Sequence, residues 1–129
     1  MISVIKDANR YLSNAKEILE GKAIRDNVQY RDKKYIKMAG HTGYESVLFA
    51  LDHLIIQQNG IQKKQAQKSV DHCRAFLTMY DKKLLSYFND LYIVLHLNLG
   101  YDGVSDTGIV KRGMAMAKEF IEKIATRLN

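Results

Sequence analysis

The chain of 129 residues contains no proline. At average usage of about 5%, roughly six would be expected. Without proline, only glycine, capping side chains and polar loops can end a helix. A few long helices with short connections are therefore predicted. The single cysteine, Cys73, cannot close an internal disulfide, which fits a reducing compartment. No stretch approaches the about 18 consecutive apolar residues of a membrane span. The opening MISVIKDANR brings charge at Lys6 and Asp7, too early for a secretory leader. A cytoplasmic protein with no membrane contact is the expectation.

Hydrophobic residues make up 47% of the chain and charged ones 26%, which suits a single soluble domain over residues 1–129. The net charge is +6, which favours acidic partners, nucleic acid among them. The basic residues are spread along the chain as Lys33/Lys34/Lys37, Lys63/Lys64/Lys68, Lys82/Lys83 and Lys111/Arg112. Solvated helix ends are the plainer reading of that distribution.

Apolar periodicity predicts an all-α chain. From Ser3 to Glu20, Ile5, Ala8, Leu12, Ala15 and Leu19 recur on one helical face, flanked by Val4, Tyr11 and Ile18, and Gly21 is placed to end the helix. Residues 22–30 read as a loop. The second helix opens near residues 31–33 and runs to Gln58, with Gly60 beyond it. Its core, AGHTGYESVLFALDHLIIQQ from Ala39 to Gln58, is the most apolar helix-length segment of the chain. On a helical wheel Ile36, Ala39, Gly43, Val47, Ala50 and Leu54 fall in one narrow stripe, whose small residues permit close helix approach. Glycine inside a helix costs about 1 kcal/mol relative to alanine, so Gly40 and Gly43 call for a packing reason. Leu48, Phe49, Ile55 and Ile56 lie off that stripe and need a second cover, from the chain or from a second subunit. They are the interface candidates.

A third helix is predicted over residues 66–79 and a fourth from Lys82 to Leu99, with Asp81 available as a cap. The two are either separate or one kinked helix. Val70, Cys73, Phe76 or Leu77, and Tyr80 face inward on the third, and Leu84, Phe88, Leu91, Leu95 and Asn98 mark the stripe of the fourth. Cys73 reads as a small core residue, since no activating base is fixed beside it in sequence. After the loop GYDGVSDTG (Gly100–Gly108), Asp106 or Thr107 caps a last helix, Ile109–Leu128, with Ile109, Gly113, Met116, Ala117, Phe120 and Ile124 inward.

Familiar chemistry is scarce. His41, His53, His72 and His96 make no His-x-x-x-His pair and no Glu-x-x-His motif, so no metal and no cofactor are expected. No P-loop, Rossmann fingerprint or nucleophile elbow occurs. One polar constellation remains on the second helix. Lys34, Lys37, His41, Glu45 and Asp52 share a side, with Tyr44 at its edge. It reads as a solvated face, as a binding or catalytic patch at Lys37, His41, Tyr44 and Glu45, or as a polar dimer contact. His96 with Tyr101 and Asp102 is the second candidate, for catalysis, against a half-buried structural histidine followed by ordinary turn residues.

The order of these parts resembles a known family. The first helix has Ala8-x-x-Tyr11-Leu12-x-x-Ala15-Lys16-Glu17-Ile18-Leu19. The second, rich in glycine and alanine, ends in ALDHLI and QNG; a long helix then ends in the turn Gly100-Tyr101-Asp102-Gly103, and the last helix reads AMAKEFIEKI. This is similar to the HEPN family (higher eukaryotes and prokaryotes nucleotide-binding domain). The opening of the second helix, Tyr30-Arg-Asp-Lys-Lys-Tyr35, also resembles a small group of uncharacterised bacterial helical-bundle proteins. The resemblance implies an up-and-down bundle of four to five helices that commonly dimerises, in toxin–antitoxin or defence systems, some members acting as RNases and some beside a nucleotidyltransferase. RNase members carry an arginine, then four to six residues, then a histidine, near the end of a long helix, and this sequence has no such pair. With the Tyr101 turn aligned, His96 stands where that arginine would be. The expectation is a non-catalytic, homodimeric interaction module, leaning away from an enzyme. Two alternatives stay open: an RNA binder or divergent RNase using His96, Tyr101 and Asp102, and a small-ligand binder with a pocket lined by His41, Tyr44 and His96.

Overall fold

A computed structural model describes residues 2–21, 30, 32–60 and 69–128, and these are helical apart from caps, turns and the isolated bridge residues Tyr30 and Asp106. The elements are α1 (Ile2–Gly21), α2 (Lys33–Asn59), α3 (Val70–Tyr80), α4 (Lys82–Leu91), a π-helix (Tyr92–Tyr101) and α5 (Thr107–Ala125). The predicted helix start at residues 66–68 and the loop over residues 22–29 lie outside the described residues.

Helix α2 is the centre of the bundle and packs against α1, α5 and the π-helix. Its stripe is buried as the periodicity requires: Ile36, Ala39, Gly43, Val47, Ala50 and Leu54 are all shielded from solvent. The packing reason for Gly40 is geometric. A Cβ built there would stand 2.6 Å from the Gly100 nitrogen and 2.9 Å from the Leu95 carbonyl oxygen. Gly40 thus lets α2 touch the backbone of the π-helix. From α5, Gly113 makes a similar approach, to Val94 and Leu95. Gly60 closes α2 with a left-handed φ of 67° and donates its N–H to the Ile56 carbonyl.

The second apolar set is covered by the chain itself. Leu48 and Ile55 are 5% and 1% exposed, and Phe49 packs edge-on to Tyr11 of α1, while Ile56 remains half-buried. The cover expected from the chain or from a second subunit is supplied by the chain. Leu48 and Ile55 are therefore not available as a dimer surface. Asp52, placed by the wheel on the polar face, is also largely buried.

The third and fourth helices are separate. Asp81 takes an extended conformation (φ −162°) and its carboxylate accepts the N–H groups of Lys83 (2.9 Å) and Leu84 (3.2 Å). It also receives the Arg127 guanidinium at 2.8 Å, tying the start of α4 to the end of α5. Partial burial alone would raise this carboxyl, but the Leu84 and Lys83 N–H groups and Arg127 outweigh it and hold the group below its usual value. A lowered folded value means stability that is present above the unfolded pKa of about 3.9 and is lost as pH falls through the folded one. Asp81→Asn keeps a capping side chain but loses the ion pair with Arg127, and is expected to cost up to about 1 kcal/mol at pH 7 and progressively less below pH ~4, measured as the gap between wild-type and variant urea melts.

The predicted fourth helix is not α-helical throughout. Beyond Leu91 the backbone widens into the π-helix, and the Asp102 N–H reaches back five residues to the Leu97 carbonyl. Wider turns favour apolar residues four apart, and Leu91, Leu95 and Leu99 are all fully buried. Asn98, expected inward on α-helical spacing, is displaced from the stripe by Leu99. In α5 the inward face is Val110, Gly113, Met114, Ala117, Phe120, Ile121 and Ile124. Ile109, expected inward, is instead 37% exposed, and Met116 is half-buried. The tight seat of Gly113 on the π-helix fixes this rotation. Asp106 is the N-cap, accepting from the Ile109 N–H at 3.0 Å.

Candidate functional site

Where α2 meets the π-helix, the side chains of His41, Tyr44, Tyr92 and His96 form one ring cluster. His96 lies 4.9 Å from Tyr44, 4.9 Å from Tyr92 and 5.9 Å from His41, centroid to centroid. Tyr44 and Tyr92 meet edge-on at 5.9 Å, and Phe88 closes the inner side of Tyr44 at 6.4 Å. Each member has a local reason for its place. His41 and Tyr44 are three residues apart on α2, on neighbouring turns of one face. Tyr92 and His96 are four apart on the π-helix. The Gly40–Gly100 approach brings the two backbones together, and a Cβ at Gly100 would lie 3.3 Å from the His41 ring.

Burial is graded across the cluster. Tyr44 is 5% exposed, Tyr92 and His96 are half-buried, and His41 is exposed. Two polar atoms inside it, Tyr44 Oη and His96 Nδ1, are buried with no hydrogen-bond partner among the described residues. Such groups cost about 1–3 kcal/mol each when left unmade. From α3, Arg74 stacks its guanidinium 4.8 Å over the Tyr92 ring and donates to Asn89 Oδ1 at 2.8 Å. Burial raises the pKa of the Tyr44 hydroxyl far above the ordinary phenol value, and the Cys73 thiol and Tyr92 add to this while Arg74 opposes it. Tyr44 is thus a neutral O–H, able to donate and to accept, and never a phenolate at working pH. Cys73, fully buried in the core behind it, is pushed up to about 12 by burial and by the charge of Asp52. A protonated, enclosed thiol is neither a nucleophile nor a ready metal ligand.

The sequence-derived candidates divide here. His41, Tyr44 and His96 come together. Tyr101 and Asp102 do not join them. Tyr101 is 74% exposed, Asp102 is exposed in the turn, and no hydrogen bond or ring contact links either to His96 among the described residues. Glu45 points to solvent beside the cluster. Lys37 lies away from the rings, its stem covering Gly103, where a Cβ would meet it at 3.2 Å. Among the described residues no group of three or more histidine, cysteine or acidic side chains is arranged to hold a metal ion. No helix of the described residues is long and apolar enough to cross a membrane. Arg74 and Tyr92 were not legible as site residues. The only available signal was Arg74 itself, the one arginine or lysine in α3.

A family described as a domain of unknown function (DUF5618) matches residues 3–126. The chain belongs to that family. Among solved structures it is similar to a protein of unknown function from Dyadobacter fermentans, with 42% identity over 98% of this chain and 97% of that one and a TM-score of 0.84. No curated protein matches. The helical bundle and a place in a small uncharacterised family agree with the sequence reading.

Proposed function

We propose that the chain is a HEPN-like, non-catalytic binding module that takes a small polar ligand between α2 and the π-helix. The observation that carries this reading is the pair of unpartnered buried atoms, Tyr44 Oη and His96 Nδ1, in one ring cluster. Native interiors pair nearly all such groups, so two neighbouring exceptions call for a missing partner. One ligand atom group that both donates and accepts would satisfy the pair, with exposed His41 at the outer edge and Arg74 behind Tyr92 favouring an acidic substituent. The absence of the RNase arginine–histidine pair and the separation of His96 from Tyr101 and Asp102 support binding over catalysis. The test is a thermal-shift panel of small carboxylic acids, phosphate esters and nucleotides at millimolar concentration. At 100 times its Kd, a ligand stabilises by about 2.7 kcal/mol. At least one compound is expected to raise Tm by several degrees, and that rise is lost in His96→Leu. A panel with no response sinks the reading.

A second reading, homodimerisation, is favoured by a different surface from the one predicted. Ile93, Leu97 and Tyr101, four residues apart on the outer side of the π-helix, are 50%, 36% and 74% exposed. An exposed apolar row of this kind fits a contact with a second copy. Light scattering at tens of micromolar is expected to give twice the 14.8 kDa chain mass, and Leu97→Glu to halve it. A monomeric wild type removes this reading and leaves the ligand site untouched.

A further inference from the structure

We propose that the hollow between α1 and α5 binds a free amphiphilic anion, an aliphatic carboxylate with its head among lysines and its chain on an apolar floor. The hollow has a volume of about 630 Å³, within the roughly 300–1,000 Å³ of small-molecule sites. It shares no lining residue with the His41–Tyr44–His96 cluster, so this inference is independent of the proposed function.

The floor is apolar. Leu19 of α1, Val110 and Met114 of α5, and Tyr30 line it, and all four are at most 8% exposed. Tyr30 is held in place by its backbone N–H, which donates to the Ser105 carbonyl at 2.9 Å just before α5 begins. Methionine adapts its shape to an irregular aliphatic chain.

The rim is basic. Lys111 and Lys118 stand seven residues apart on α5, two turns along one face, and Lys16 faces them from α1. Glu20 is the one acid on the described lining, so three ammonium groups oppose one carboxylate. None of the three lysines is in an ion pair among the described residues, where the pairs are Arg10–Asp7, Lys123–Glu119 and Arg127–Asp81. Between the α5 lysines sits Ala115, whose short side chain leaves the floor open. Charge on the rim and hydrocarbon on the floor match a ligand with both parts. A nucleic acid would call instead for a charged stripe without the apolar base.

Isothermal titration of the full chain with decanoate, below its micelle concentration, tests this. Decanol (chain without charge) and acetate (charge without chain) are the controls. Decanoate is expected to bind saturably, one per chain, with both controls at least about ten-fold weaker. Replacing both Lys111→Gln and Lys118→Gln should weaken decanoate by roughly five- to ten-fold. Ala115→Phe, at an exposed position between the two lysines, should obstruct the hollow and weaken decanoate binding at least about ten-fold while leaving the melting temperature nearly unchanged. His96→Leu should leave decanoate binding as it is. Equal affinity for decanol and decanoate, or unchanged binding in Ala115→Phe, would overturn the proposal.

Discussion

Gly40→Ala is expected to be strongly destabilising, although alanine is the better helix former. The substitution gains up to about 1 kcal/mol of helix propensity. Against this, the new methyl would sit 2.6 Å from the Gly100 nitrogen, 2.7 Å from Leu99 Cβ and 2.9 Å from the Leu95 carbonyl oxygen. Two of these three are backbone atoms of the π-helix and cannot rotate away. Relief requires α2 and the π-helix to separate, at an overpacking cost near the upper end of the usual range, about 3 kcal/mol. The net loss is about 2 kcal/mol, a fall in Tm of roughly 6 °C for a domain of this size. Gly21→Ala is the control, because nothing lies within 4 Å of its added Cβ. It should be neutral or stabilising by a few tenths of a kcal/mol. Parallel thermal melts decide the matter, and equal melts for the two variants would mean that the helix contact is looser than described.

Tyr44→Phe is expected to act in the opposite direction. The hydroxyl is buried without a partner among the described residues, so deleting it removes a desolvation cost of about 1–3 kcal/mol. The void left by one oxygen atom costs less than a deleted methyl, under about 1 kcal/mol. The variant should therefore be more stable by about 1 kcal/mol, with Tm up by roughly 3 °C. A gain in stability on removing a polar group is the mark of a site kept for binding at the expense of folding. A loss of more than about 1 kcal/mol would instead show that the hydroxyl is hydrogen-bonded within the free protein.

The central helix was readable because its signal is strong and local. Small and apolar residues recur at helical spacing from Ile36 to Leu54, and every one of that stripe is buried. The break at Asp81 was half-readable: a capping residue was evident, but its extended backbone and the Arg127 contact from the far end of the sequence were not. The π-helix was not readable. A widened turn has no composition of its own, and the leucines at 91, 95 and 99 fit an α-helix nearly as well. That one change rotates Asn98 off the core and sets the face that His96 presents. His41 and Tyr44 could be placed on one face from spacing alone, whereas their meeting with His96 rests on the Gly40–Gly100 approach, a tertiary contact. Asp52 was misplaced because a wheel separates apolar from polar positions and cannot see a buried carboxylate in the core beside Cys73.

The most direct measurement is the thermal-shift panel run side by side on wild type and Tyr44→Phe. At least one small polar compound is expected to raise the melting temperature of the wild type by several degrees and to leave that of Tyr44→Phe unmoved. If every compound that stabilises the wild type stabilises Tyr44→Phe equally, the ring cluster where α2 meets the π-helix is not the binding site.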